Sequence, residues 1–200
     1  MARWIFECHD RWVRALSGRT LRAVTALVIV GMAAAGCGDG VSEPATRAPV
    51  ELRVSSPAFA EGAEIPTRFT CNGAGASPPL VWSGPLRAAA ALALVVDDPD
   101  APRGTYVHWV VVDMPVSTAR LAEGPRGAVP AGASQAKNSA GRTGWTAPCP
   151  PSGTHDYRFT IYSLNAPTKL GDGVDLDKAL DAVDEHATAR GRLTGKATHR

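Results

Sequence analysis

"ALALVVDDPDAPRGTYVHWVVVDM", residues 91–114, sets two apolar runs on either side of a turn that carries three aspartates, two prolines and a glycine. Runs of this length, rich in valine and punctuated by proline and glycine, read as β-strands. Both are nearly continuous rather than alternating, so each strand is expected to be covered on both faces, as in the centre of a layered sheet. If the two strands are antiparallel neighbours, Asp97 to Val107 is the connection at one end of that sheet. Pro99 and Pro102 stiffen it, and proline's bias on the residue before it holds Asp98 in one direction. His108 stands where the chain re-enters the sheet. Regular alternation places it on the face of Val110, Val112 and Met114, where a desolvated imidazole needs a partner. A carboxylate from Asp98 or Asp100 is expected to hold it.

Working outward, "ELRV" (51–54) and "YRFTIYSL" (157–164) are further strands by the same criteria. Together these runs predict a mainly β chain with a two-layer, sandwich-like core. The connections are long and rich in glycine and proline, notably 115–153, and loops of that length tend to carry function. Helical spacing occurs in "DLDKALDAVDEHATAR" (175–190), with Leu176, Leu180 and Val183 on one stripe. The chain has no internal repeat.

A second constellation, "GWTAPCPPSGTHDYRFTIYSL" (144–164), repeats the logic of the first. Pro148, Pro150 and Pro151 stiffen the loop, Gly153 permits a sharp turn, and His155 and Tyr157 enter a strand at alternate positions facing one side. Two strands thus each begin with a histidine after a proline-stiffened loop. Their meeting at one end of a sheet would make a small pocket of imidazole, phenol and backbone donors, with aspartates holding the imidazoles. Such a pocket suits an anion. It lacks the tight histidine and cysteine pattern of a zinc site, so neither a metal nor a cofactor is expected.

Composition sets the remaining bounds. The 200 residues are 44% hydrophobic and 20% charged, enough for one domain with a real core. The formal charge of +2 is concentrated at the front: five of the 21 basic and two of the 19 acidic side chains lie within residues 1–36, leaving 16 and 17 afterwards, a net −1. Without a basic stripe the body lacks the footprint of a nucleic-acid partner. Arg19 and Arg22 precede "AVTALVIVGMAAAGC" (23–37), too short and alanine-rich for a spanning helix and suited to an export signal. Its "AAGC" (34–37) resembles the lipobox of bacterial lipoproteins, in which the cysteine, here Cys37, is acylated. Ala34 departs from the leucine more usual there. The alternatives are a plain secretory signal or an uncleaved anchor. The long front end, residues 1–22, points to a start codon further downstream. Residues 38–50 then read as a flexible tether and 51–200 as the folded domain. This places the protein in the cell envelope, lipid-anchored to the outer face of the bacterial cell membrane, or secreted if Cys37 is not acylated.

The ordered motifs "SPAF…IPTRFTCNG…SPPLVW" (56–82), "DDPDAP…VHWVV" (97–111) and "GWTAPCPPSGTHDY" (144–157) resemble the phosphatidylethanolamine-binding protein family, in its bacterial Raf-kinase-inhibitor-like branch. The resemblance covers about residues 52–198. It implies an antiparallel β-sandwich-like fold with peripheral helices, and a small cavity that binds phosphate-type and carboxylate anions, including phospholipid headgroups. It assigns that cavity to Asp98, Asp100, His108, Cys149, Pro150, His155 and Tyr157. Asp156 stands where the family usually has arginine, Trp145 where tyrosine is common and Ala147 where glycine is common; Asp156 subtracts positive charge near the mouth. The implied function is a membrane-tethered binding protein that takes a small anion or a headgroup and modulates a partner protein, as some relatives do. The alternative is a hydrolase or transferase using Cys149, or a water activated by His155 and Asp100. Against it, no G-x-S-x-G elbow is present and Cys149 has no evident orienting group. Cys71 and Cys149 are the cysteines left once Cys8 and Cys37 are set aside. They either pair, in a compartment that permits disulfides, or stay reduced, as the same residues would in relatives without an export signal.

Overall fold

The computed structural model describes residues 48–125 and 127–200. The export signal, Cys37 and most of the tether lie outside the described residues. In chain order the elements are β1 (Arg53–Ser55), a 3₁₀ turn (Thr67–Phe69), β2 (Leu80–Ser83), β3 (Ala91–Asp98), β4 (Tyr106–Met114), β5 (Arg120–Leu121), β6 (Ser134–Gln135), β7 (Thr154–Leu164), α1 (Leu176–His186) and β8 (Ala187–Thr198). Five strands form one antiparallel sheet in the order β6-β4-β3-β7-β8, and a smaller sheet runs β1-β2-β5.

The continuous apolar run of β3 has the cause expected for it, since all eight of its residues are buried. Leu92, Leu94 and Val96 join Leu80, Trp82 and Leu121 of the small sheet in one core, while Ala91, Ala93 and Val95 join Ala179, Leu180 and Val183 of α1 in a second. The large sheet is therefore a middle layer, with the small sheet on one face and α1 on the other. Only one α-helix occurs among the described residues, fewer than the peripheral helices the resemblance implied.

The predicted helix over 175–190 stops at His186, and residues 187–190 open β8 instead. Alanine, threonine and arginine carry little hydrophobic signal, but as an edge strand they pair with β7 along its length, from Leu164↔Ala187 to Thr154↔Thr198. Two glycines in β8 are required by close approach rather than by turning. A Cβ at Gly191 would lie 2.3 Å from the Leu52 carbonyl oxygen, and one at Gly195 would lie 2.6 Å from Ile65. The segment ahead of β1 packs on the same strand. Arg190 donates its backbone N–H to Pro49 and its Nε to the Ala48 carbonyl, so residues 48–50, assigned to the tether, lie along β8.

Replacing Gly191 by alanine is expected to destabilise the domain by about 1–3 kcal/mol, the usual cost of forcing a methyl into a packed contact. Denaturant unfolding reads this as a lower midpoint with unchanged slope, and a midpoint equal to wild type would show that β8 and the segment ahead of β1 do not pack this closely.

Candidate functional site

The turn after β3 explains its acid content one residue at a time, because each aspartate ties to β7. Asp97 takes both arms of Arg158, with Nε–Oδ1 at 2.7 Å and Nη2–Oδ2 at 2.6 Å. Asp98 Oδ2 accepts from His155 Nδ1 at 2.7 Å, and its Oδ1 accepts the Asp100 backbone N–H at 2.9 Å. Asp100 Oδ2 in turn accepts the Asp156 backbone N–H at 2.8 Å. Adjacent strands here bring complementary groups together across the ladder, since Asp97 pairs in register with Arg158. Burial pushes the Asp97 carboxyl up, even with Arg158 beside it favouring the ionised form.

His108 is placed differently from the expectation. Its partner is neither Asp98 nor Asp100: Nδ1 lies 2.8 Å from the Thr146 carbonyl oxygen, and the Thr146 N–H donates back to the His108 carbonyl at 3.0 Å. The reason is a β-bulge. Val96 opposes Trp109 and Asp97 opposes Val107, so His108 is the extra residue on β4. A bulge breaks the alternation and re-aims a side chain. Val110 and Val112 pack towards α1, whereas the His108 ring stands edge-on to Tyr157, with centroids 5.2 Å apart, on the small-sheet side. Because a carbonyl can only accept, Nδ1 carries the proton and Nε2 is left for a further partner. Burial holds the His108 imidazole below the usual histidine range, with the Thr146 carbonyl opposing that shift.

Tyr157 completes the cluster. The residue is fully buried and its hydroxyl makes no hydrogen bond of ordinary geometry, although Asp98 and the Cys149 backbone lie close enough to act on it. Burial, and then the Asp98 charge, push its phenol far above the ordinary tyrosine range. The structure therefore brings Asp98, His108, His155 and Tyr157 together at the end of β3, β4 and β7. Asp100 braces the start of β7 and holds no imidazole. The Pro150 carbonyl faces His199 Nδ1 at 2.9 Å. Cys149 is bonded to Cys71, with Cα atoms 5.3 Å apart, so its sulfur is not a thiol nucleophile in this state.

Three residues of the site were not found from the sequence. Thr146 holds His108 through a backbone carbonyl, which leaves no signature in residue type. Asn138 is buried and spends its amide on Gly144 and Thr146 and its carbonyl on the backbone N–H groups of Ala140 and Arg142, so it shapes the loop that presents Thr146. Tyr106 lies tilted on the His108 ring with centroids 4.8 Å apart; its position two residues before His108 on one strand was the signal available for it.

Comparisons with known proteins agree in direction. Residues 55–198 match the sequence model described as phosphatidylethanolamine-binding protein. A protein of Mycobacterium tuberculosis named "Putative lipoprotein LppC" is 41% identical over 196 residues, covering 88% of this chain and 95% of its own. A "UPF0098 protein" of Methanothermobacter thermautotrophicus is 38% identical over 146 residues, 72% of this chain and 97% of its own. Among solved structures, E. coli YbcL, titled a new member of the mammalian PEBP family, superposes with a TM-score of 0.71 at 27% identity, covering 76% of this chain and all (100%) of that one.

The depressed His108 has a consequence for stability. The unfolded chain takes up a proton near the ordinary histidine value of about 6.5 while the folded chain resists, so stability falls as pH drops below that value and is regained above it. His108→Gln, which keeps a donor towards Thr146 but does not titrate, is expected to flatten the fall between pH 6.5 and 5 relative to wild type. Parallel pH–stability curves for the two proteins would show that His108 is not the group responsible.

Proposed function

We propose, since the chain belongs to the phosphatidylethanolamine-binding protein family, that it is an exported, lipid-anchored binding protein whose His108–His155–Tyr157 cluster takes a small phosphate-type anion, free or as a headgroup. The observation that carries this reading is the buried Tyr157 hydroxyl that makes no hydrogen bond of ordinary geometry. A buried donor left unsatisfied costs about 1–3 kcal/mol, and an anionic oxygen would satisfy it. His108 and His155 supply the other contacts. Each has Nδ1 committed, to Thr146 and to Asp98, so that Nε2 becomes a donor when the ring is protonated. Asp98 orients the His155 ring. A disulfide-bonded Cys149 favours binding over nucleophilic chemistry. Modulation of a partner protein remains part of the proposal as a consequence of occupancy at this site.

The sign of the pH dependence follows from His108. Burial keeps it neutral near pH 7, so an incoming anion must bring a proton with it. Calorimetric titration of inorganic phosphate is expected to show binding that strengthens as pH falls, with net proton uptake seen as heats that depend on the buffer. His108→Ala is expected to lose about 1.5–3 kcal/mol of affinity and Tyr157→Phe about 0.5–1.5 kcal/mol. Asp98→Asn is expected to bind more weakly despite removing a negative charge. Tighter binding by Asp98→Asn, or heats independent of pH, would overturn the assignment.

The lipid anchor rests on the lipobox-like "AAGC" and on the similarity to a protein named as a lipoprotein. Acyl chains contribute about 0.8 kcal/mol per buried CH₂, and more than one chain makes attachment lasting. Cys37→Ser is expected to move the protein from the membrane to the soluble exported fraction. Wild-type protein found in the soluble fraction would end the anchor proposal.

A further inference from the structure

The Cys71–Cys149 disulfide joins two parts of unequal rigidity. Cys71 sits in a tight turn, where Thr70 and Gly73 donate backbone N–H groups to Thr67 and Thr70, and where a Cβ at Gly73 would lie 2.3 Å from the Thr67 carbonyl oxygen. Cys149 sits in the 144–153 loop, which forms no strand. That loop supplies the Thr146 carbonyl to His108 and brings the Cys149 backbone to the Tyr157 hydroxyl. The bond therefore pins the part of the site that lacks a ladder to hold it.

The bond also faces outward. Cys71 and Cys149 are both exposed, and both line a cavity of about 610 Å³ shared with Arg142, Trp145 and Ala147. Arg142 gives that lining one positive charge, and positive charge near a cysteine favours the thiolate form and hence thiol–disulfide exchange. Open access on one side and the anion cluster on the other put one covalent bond between solvent chemistry and the site.

We infer that the Cys71–Cys149 disulfide is a redox clamp on the anion site: oxidised, it holds the 146–150 segment in the binding geometry, and reduced, it releases it. This rests on the anion-binding reading above. The reductant is a dithiol of the Cys-x-x-Cys class. One of its thiolates attacks a sulfur of the disulfide, a mixed disulfide forms, and the other cysteine leaves as a thiolate that takes a proton. The second thiol of the reductant then displaces the first cysteine. Two electrons and two protons pass to this chain, and the reductant leaves as a disulfide. The covalent tie lost spans a sequence separation of 78 residues, and hydrogen bonds such as Cys71 N–H to the Pro148 carbonyl remain to keep the fold closed.

The test uses the full chain carrying Cys8→Ser and Cys37→Ser, so that the Cys71–Cys149 pair holds the remaining cysteines. Inorganic phosphate is titrated by calorimetry before and after treatment with reduced dithiothreitol, and into the Cys71→Ser, Cys149→Ser variant, while NMR follows the His108 ring. The expected result is phosphate affinity about tenfold lower in the reduced protein and in the variant, shifted His108 ring signals, and an otherwise folded spectrum. Equal affinity in the two redox states overturns the clamp and leaves the binding reading standing. Absence of phosphate heat in every state overturns the binding reading, and His108 signals unmoved by reduction then overturn the clamp as well. Global loss of the folded spectrum on reduction also overturns it, since the bond would then be holding the whole fold rather than the site.

Discussion

The buried contact between Asp98 and His155, 2.7 Å across the end of β3 and β7, is the constraint on which the site depends. A carboxylate and an imidazole, both almost wholly shielded from water, can be kept there only as partners, because either alone would leave an uncompensated polar group in a low-dielectric interior. Asp98 has a second commitment to the Asp100 backbone, and Asp100 a further one to Asp156. The turn and the first residues of β7 therefore form one hydrogen-bonded unit. On the opposite face of the sheet the Asp97–Arg158 pair fastens the same two strands. The register that places His155 at the mouth is thus held by side chains on both faces as well as by the ladder.

Around that unit the fold brings together groups with opposed needs. Tyr157 and His108 are held in contact by burial in the small-sheet core, and burial drives both towards their neutral forms. Asp98 is the charge among them and acts on each. Under the proposed function, an anion entering this cluster would favour protonation of His108, which links occupancy to proton uptake. Asp156, where arginine is usual in the family, donates its backbone to Asp100 and adds no cation at the mouth. Under the proposed function, contact with an anion therefore falls to the two histidines and Tyr157.

The loop from Asn138 to Gly153 acts as the second wall. Its residues make few ladder hydrogen bonds, and its shape comes from a buried asparagine amide, a row of prolines and the bond from Cys149 to Cys71. Such a wall is less tightly determined than a strand, which is why a covalent bond at Cys149 can matter to the Thr146 carbonyl three residues away and, through it, to His108.

Much of this was legible in the residues. Near-continuous apolar runs at 91–96 and 107–112 signalled strands covered on both faces, and the structure covers them with a sheet and a helix. Prolines around Asp98 and before His155 marked stiff turns carrying polar groups, and both turns lie at the same end of one sheet. The sequence determined, by itself, that Asp98, His155 and Tyr157 would stand at strand ends beside stiff turns, because hydrophobic period and proline punctuation are local properties of the chain. It did not determine who would hold whom. Asp98 goes to His155 rather than His108 because a one-residue bulge at His108 turns the ring towards Tyr157 and the Thr146 carbonyl. Likewise β8 starts at Ala187, inside the stretch with helical spacing, because an edge of β7 with unmet backbone groups outweighs the weak local preference of alanine and threonine. Bulges, backbone carbonyl partners and strand edges are relations between distant segments, and only the tertiary structure could decide them.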